Sequence, residues 1–197
     1  MTVLTTCKVA LKEWAVAVRE LAAGRQVVLL RKGGIREPGK EFRVVHPEFL
    51  LFPTYEHQRE ELIKPEYHAS LRQLLAEAPR SDTVTMAYLA RVAEAIEVTD
   101  QRQVDALAPH HLWTNDYAQK RLHWKPRKPL HVLLVRLYRL ERPHRVPVLP
   151  EYAGCTSWVE LAEPVPLGAL TPVLDDEAFQ RRAQAAKAAL ASVGVEA

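Results

Sequence analysis

The stretch Thr83–Thr99, TVTMAYLARVAEAIEVT, decides how the chain folds. Val84, Met86, Tyr88, Ala90, Val92, Ile96 and Val98 share one parity, interrupted only by Glu94. A period of two sets them on one face of an extended chain, yet the run outlasts an ordinary strand of about five or six residues. It reads as a long bent strand, or two strands joined through a bulge, as in a small barrel. The alanine-rich middle leaves a helix as the alternative.

Elements can be placed on either side of this run. Upstream, Thr5 or Thr6 is positioned to cap a helix carrying Leu11, Trp14, Ala15, Val18, Leu21 and Ala22 at helical spacing, ended by Gly24. Strands are expected at Val27–Arg31, Glu41–Val45 and Phe49–Phe52. Thr54 can start a helix to about Lys64, and Pro65 can start the next, with Leu71, Leu74 and Leu75 inward. Downstream, Asp100–Leu107 reads as a loop leading to a short helix, and Thr114 can cap a helix from Asn115 to about Leu122. His131–Leu140 reads as a strand, Arg142–Pro150 as a proline-punctuated loop and Val159–Leu161 as a short strand. A helix from Asp175 to about Ser192 packs back on the body and closes the order. The expected class is α+β: a small mixed or antiparallel barrel-like sheet flanked by helices, in one domain over residues 1–197.

Composition narrows the function classes. No run approaches the roughly 18 apolar residues of a membrane span, and MTVLTTCKVALKEW lacks the pattern of a secretory signal. Cys7 and Cys155 are too few for a disulfide framework or a cysteine-based zinc site. A cytoplasmic protein with no membrane partner is expected, of unspecified oligomeric state. The net charge of +3 is mild but unevenly spread. Lys120, Arg121, Lys125, Arg127, Lys128, Arg136, Arg139, Arg142 and Arg145 meet a single acid, Glu141, between positions 120 and 145.

Two places could carry chemistry. In RKGGIREPGKEFRVVHPEFLLFPTYEHQ, Arg31–Gln58, two apolar runs end in polar clusters, Arg31-Lys32-Gly33-Gly34 and Thr54-Tyr55-Glu56-His57-Gln58. A Gly-Gly pair after a strand lets backbone N–H groups approach an anion, with two cations beside it. The second is Trp124-Lys125-Pro126-Arg127-Lys128-Pro129, which its prolines hold extended.

LLRKGGI, FLLFPTYEHQ, HHLWTNDYAQKRLHWKPRKPL and YAGCTSW together resemble the bacterial family catalogued as domain of unknown function 1802, from Lys12 to about Leu161. That resemblance implies a small stand-alone protein and carries over no catalytic residue. The order of elements also resembles the PUA, ASCH and EVE group of small β-barrels, which grip RNA or modified bases.

Nucleic-acid binding is the leading expectation. Cations meet phosphates and flat rings stack on bases. The site drawn from the sequence comprises Arg31, Lys32, Gly33, Gly34, His57, Gln58, Trp113, Arg121, Trp124, Lys125 and Arg136, with Trp113 or Trp124 stacking and Gln58 on a base edge. The plainer alternative makes the tryptophans core anchors and the charges a solvated face. A metal-dependent nuclease or phosphodiesterase is the second reading, with Glu37, Glu41 and His57 as catalytic candidates and a divalent metal as cofactor; nucleic-acid binding itself calls for none. His46, Glu56, His110 and His111 add possible ligands, but no HExxH, CxxC or P-loop spacing is present, and adjacent His110 and His111 diverge on either a strand or a helix. Cys155 reads as a small turn residue rather than a nucleophile. A protein-interaction module on the terminal helix is the third class.

Overall fold

The structure, a computed structural model, describes residues 4–33, 42–56, 58–78, 82–154 and 156–193. Strand β1 (Thr6–Trp14) runs directly into helix α1 (Ala15–Ala22), followed by β2 (Val28–Arg31) and β3 (Glu48–Thr54). Helix α2 (His68–Ala76) precedes β4 (Thr83–Val98), and helices α3 (Gln101–Ala106) and α4 (Asn115–His123) lie between β4 and β5 (Leu130–Pro147). Then come β6 (Trp158–Pro166), the short β7 (Thr171–Pro172) and α5 (Asp176–Ser192).

The seven strands make one sheet in the order β2-β5-β4-β3-β1-β6, with β7 added to β5. Among the described residues, only β1 and β3 run parallel; the other pairs are antiparallel. The Thr83–Thr99 stretch is a single 16-residue strand, and its ladder with β5 slips at Met86/Tyr88 and Val92/Glu94, the bulges that bend it. The helical alternative for its middle therefore falls. An α+β architecture with a mostly antiparallel sheet flanked by helices results, open between β2 and β6 rather than closed as a barrel.

Both faces of the sheet are covered. Leu11, Phe49, Leu51, Ala90, Val132 and Leu134 join the core under the helices, whereas their neighbours Ala10, Leu50, Phe52 and Leu89 join a second core with Met86, Tyr152 and Leu161. Helix α5 seats Phe179, Ala183, Ala186 and Leu190 in the first core, so its apolar face is spent on its own sheet. Local signals held where they were chemical: the Thr114 hydroxyl accepts from Tyr117 N at 3.3 Å, and Asp175 accepts from Ala178 N at 2.7 Å.

Several expected boundaries are corrected. The first helix begins at Ala15, not near Thr5, because β1 sits between β3 and β6 and buries side chains on both faces, which erases alternation. Phe42–Val45 is not a strand; Phe42 instead stacks on Trp158 at 5.8 Å between centroids. Thr54 ends β3, its hydroxyl donating to Glu13 O at 3.2 Å, and the helix expected to follow reduces to a 3-10 turn over Glu60–Leu62. Leu75 is 40% exposed rather than inward. The expected loop after Leu140 is largely strand, since His144–Pro147 pair with Thr83–Met86, and Pro143 falls in the interrupted part of the ladder where no amide is required.

Candidate nucleic-acid interface

At the end of β2 the charged pair separates. Arg31 turns inward: its guanidinium donates to Lys12 O at 3.0 Å and to a Glu13 carboxylate oxygen at 3.2 Å, with both side chains under 10% exposed. Glu13 also accepts from Trp14 N at 2.8 Å. This ion pair spans β2 and β1, which are not neighbours in the sheet. Lys32 turns toward α4, where its ammonium donates to the Leu122 carbonyl near the helix C-terminus, the end that favours a cation. Burial, and then Arg121 and Lys125, push its pKa below the ordinary lysine value.

Lys125 closes the cluster. Its backbone takes φ +54°, a left-handed conformation rare for a side-chain-bearing residue. The ammonium then reaches Gly33 O at 3.0 Å and lies 5.7 Å from the Trp124 ring centre. Trp124 itself is 50% exposed. Lys32, only 3% exposed, thus lies beneath the charges of Arg121 and Lys125, and Lys125 stands beside the open indole.

The other sequence-derived residues take different places. Trp113 is 2% exposed and stacks at 6.3 Å on Tyr117, which contacts Trp14 at 5.2 Å. Arg121 caps that aromatic row, 5.5 Å from the Tyr117 ring, and burial pushes the Tyr117 phenol up. Gln58 is buried: it accepts from Val16 N at 3.0 Å and donates to Thr54 O at 2.9 Å, serving as a remote cap for α1. Arg136 pairs with Asp176 at the start of α5 and lies over Tyr138 and Phe179. Gly34, Glu37, Glu41, His57 and Cys155 lie outside the described residues. His46 packs edge-on to Trp158 at 5.3 Å, Glu56 is exposed, and His111 is buried. Among the described residues, no three of His, Cys, Asp and Glu come together as a metal site. Glu13 was missed by sequence reasoning; its signal was a carboxylate inside an otherwise covered strand.

An open, mostly antiparallel sheet with a basic edge beside an exposed tryptophan is the class of structure defined here. The chain belongs to the family described as Domain of unknown function (DUF1802), whose model matches residues 10–185. No curated protein matches it. Among solved structures it is similar to the ASCH protein of Zymomonas mobilis, with 10% identity, 89% of this chain and 93% of that chain covered and a TM-score of 0.42. A point mutant of that protein gives 13% identity, coverage of 89% and 94% and a TM-score of 0.39. No helix among the described residues is long and apolar enough to cross a membrane.

Proposed function

We propose that the protein binds nucleic acid at the edge formed by the end of β2 and the segment after α4. The observation that supports this most is the meeting of Arg121 and Lys125 around the buried Lys32, with Lys125 against the half-exposed Trp124. In this reading Arg121 and Lys125, with Lys120, Arg127 and Lys128 on the same stretch of chain, contact phosphates, the buried Lys32 ties β2 to the end of α4 beneath them, and Trp124 stacks on a base. Trp113, sunk beneath the surface, supports the site through Tyr117, as Arg31 and Gln58 do by holding β2 and α1. Gly33 offers its backbone next to Lys125, and Gly34 and His57 adjoin the site in sequence. Arg136 is tied to α5 and leaves the set.

A salt titration of binding to labelled single- and double-stranded RNA and DNA, first in chelator and then with magnesium or manganese, tests this. Affinity should fall linearly in a log–log plot against salt, by roughly 0.7 per neutralised phosphate on a single strand. Trp124→Ala should weaken binding by about 1–3 kcal/mol, roughly 5- to 150-fold. Lys125→Gln should reduce the salt slope by about one. Cleavage appearing only with metal would shift the reading to a nuclease and make Glu37, Glu41 and His57 the residues to substitute. An absence of binding even at low salt would overturn the proposal and point to a protein or small-molecule partner.

A further inference from the structure

A second basic site lies elsewhere on the molecule and shares no residue with the edge just described. The link between α1 and β2, the turn before α4 and the middle of α5 border a half-open cavity of about 230 Å³. Arg25, Arg181, Arg182 and His110 line it together with Val27, Pro109 and Ala185. Three guanidinium groups around one cavity repel each other in the empty protein, so their arrangement needs a structural reason or an anionic occupant.

The structural reason covers only part of the charge. Arg25 is held by Glu20, which is fully buried and takes both its Nε and, at 2.8 Å, its Nη2. A Ser70 hydroxyl donates to the same carboxylate at 3.3 Å, which fixes that pair as part of the fold. Arg182 uses one N–H on the Arg25 carbonyl at 3.1 Å, a contact that positions its planar fork without neutralising it. Arg181 pairs with Glu177 one turn earlier, and both side chains are more than 60% exposed, a pairing of the weak surface kind that a better anion displaces. Val27, Pro109 and Ala185 offer the remaining wall as apolar surface.

We propose that this cavity binds a phosphomonoester, with the phosphate on the Arg181 and Arg182 forks and the attached organic group against the apolar wall. Planar guanidinium groups match phosphate oxygens two at a time, which a lysine cannot do. His110 stands at the rim, where burial, and then Lys64, hold its pKa below the ordinary value, so the charge offered to the phosphate comes from the arginines. The phosphate could belong to a free small molecule or to the 5′ end of a nucleic-acid strand, and the two sources are separable. The proposal stands independently of the nucleic-acid reading above.

Titration calorimetry on the whole chain tests it with adenosine 5′-monophosphate, adenosine and inorganic phosphate. The nucleotide should bind saturably, inorganic phosphate more weakly and adenosine not at all. Arg182→Gln should weaken the nucleotide at least tenfold, and Arg181→Gln combined with Arg182→Gln should abolish binding, with melting temperatures kept within a few degrees of the parent because both side chains are peripheral to the core. Preference for a 5′-phosphorylated over a 5′-hydroxyl oligonucleotide, lost in Arg182→Gln, would assign the phosphate to a strand end; equal affinity for the two would assign it to free small molecules. No saturable heat from nucleotide or phosphate at millimolar concentration, or full nucleotide affinity in the double variant, would overturn the proposal.

Discussion

Single residues here are governed by what surrounds them more than by what they are. His111 is 2% exposed, and burial followed by Lys64 lowers its pKa from 6.5 to about 3. Because the folded value is depressed, the folded protein holds fewer protons than the unfolded chain once the pH drops. Its contribution is complete above about pH 6.5 and is lost as the pH falls toward 3; at pH 5 about 2 kcal/mol should be gone. Urea midpoints at pH 7 and pH 5 check this, because His111→Leu should lose about 2 kcal/mol less than the parent over that interval. The buried Arg31–Glu13 pair makes a second residue-scale prediction. Arg31→Ala strands a carboxylate and should lower unfolding free energy by about 3–5 kcal/mol, read from denaturant midpoints. Sequence alone grouped Arg31 with Lys32 as neighbouring cations. Both are buried, and their separate partners, Glu13 and the Leu122 carbonyl, lie far along the chain where no local pattern encodes them.

Among elements, α1 shows how local and distant signals divide the work. Its C-terminus was legible because Gly24 adopts φ +67°, a conformation that disfavours any side chain. Gly24→Ala adds the intrinsic penalty of about 1–2 kcal/mol for a left-handed residue, and its new methyl would fall 2.6 Å from Leu174 Cδ2. A drop in melting temperature larger than that of an exposed alanine substitution in α5 is expected. The N-terminus of α1 was not legible, since Gln58, 42 positions away, supplies the acceptor for Val16 N. Gln58→Ala should therefore cost about 1 kcal/mol, the worth of a lost helix cap, measured by chemical denaturation. Strand β4 declared itself by parity, but the bulge after Met86 corrects the expectation of one face: Val84 and Met86 join the second core, whereas Ala90 and Val98 join the first; β1 did not declare itself, because a strand covered on two faces carries no alternation. Of the candidate site, Trp124 and Lys125 were legible as a tryptophan set among cations, but the expected extended path is a tight turn, in which Lys128 N donates to Lys125 O at 2.9 Å; Trp113 carried the same residue type into the core through Tyr117.

On the scale of the molecule, β5 is the hub, pairing with β4 along nearly its whole length and with β2 and β7 on its other side. Amides of Val132–Val135, fully buried in that hub, should be the slowest to exchange with deuterium, while those of His144, Arg145 and Val146 at the exposed end should exchange first along the strand. Equal protection at both ends would show that the sheet opens as one unit. The two basic sites lie on different sets of elements, one at the β2 and α4 ends and one against α5, so substitutions in them should act additively.

The position of β1 has a consequence for how the chain is made. Its partners are β3, synthesised soon afterwards, and β6, whose Trp158 must reach Leu11. At about 5–20 residues per second, roughly 5–20 s separate the emergence of those two strands from the ribosome. Until β6 arrives, one edge of β1 waits, open to any strand that comes by. The nascent protein thus has a long interval of vulnerability that the finished one conceals, and a chaperone or slowed growth temperature should raise its soluble yield more than any added stability would.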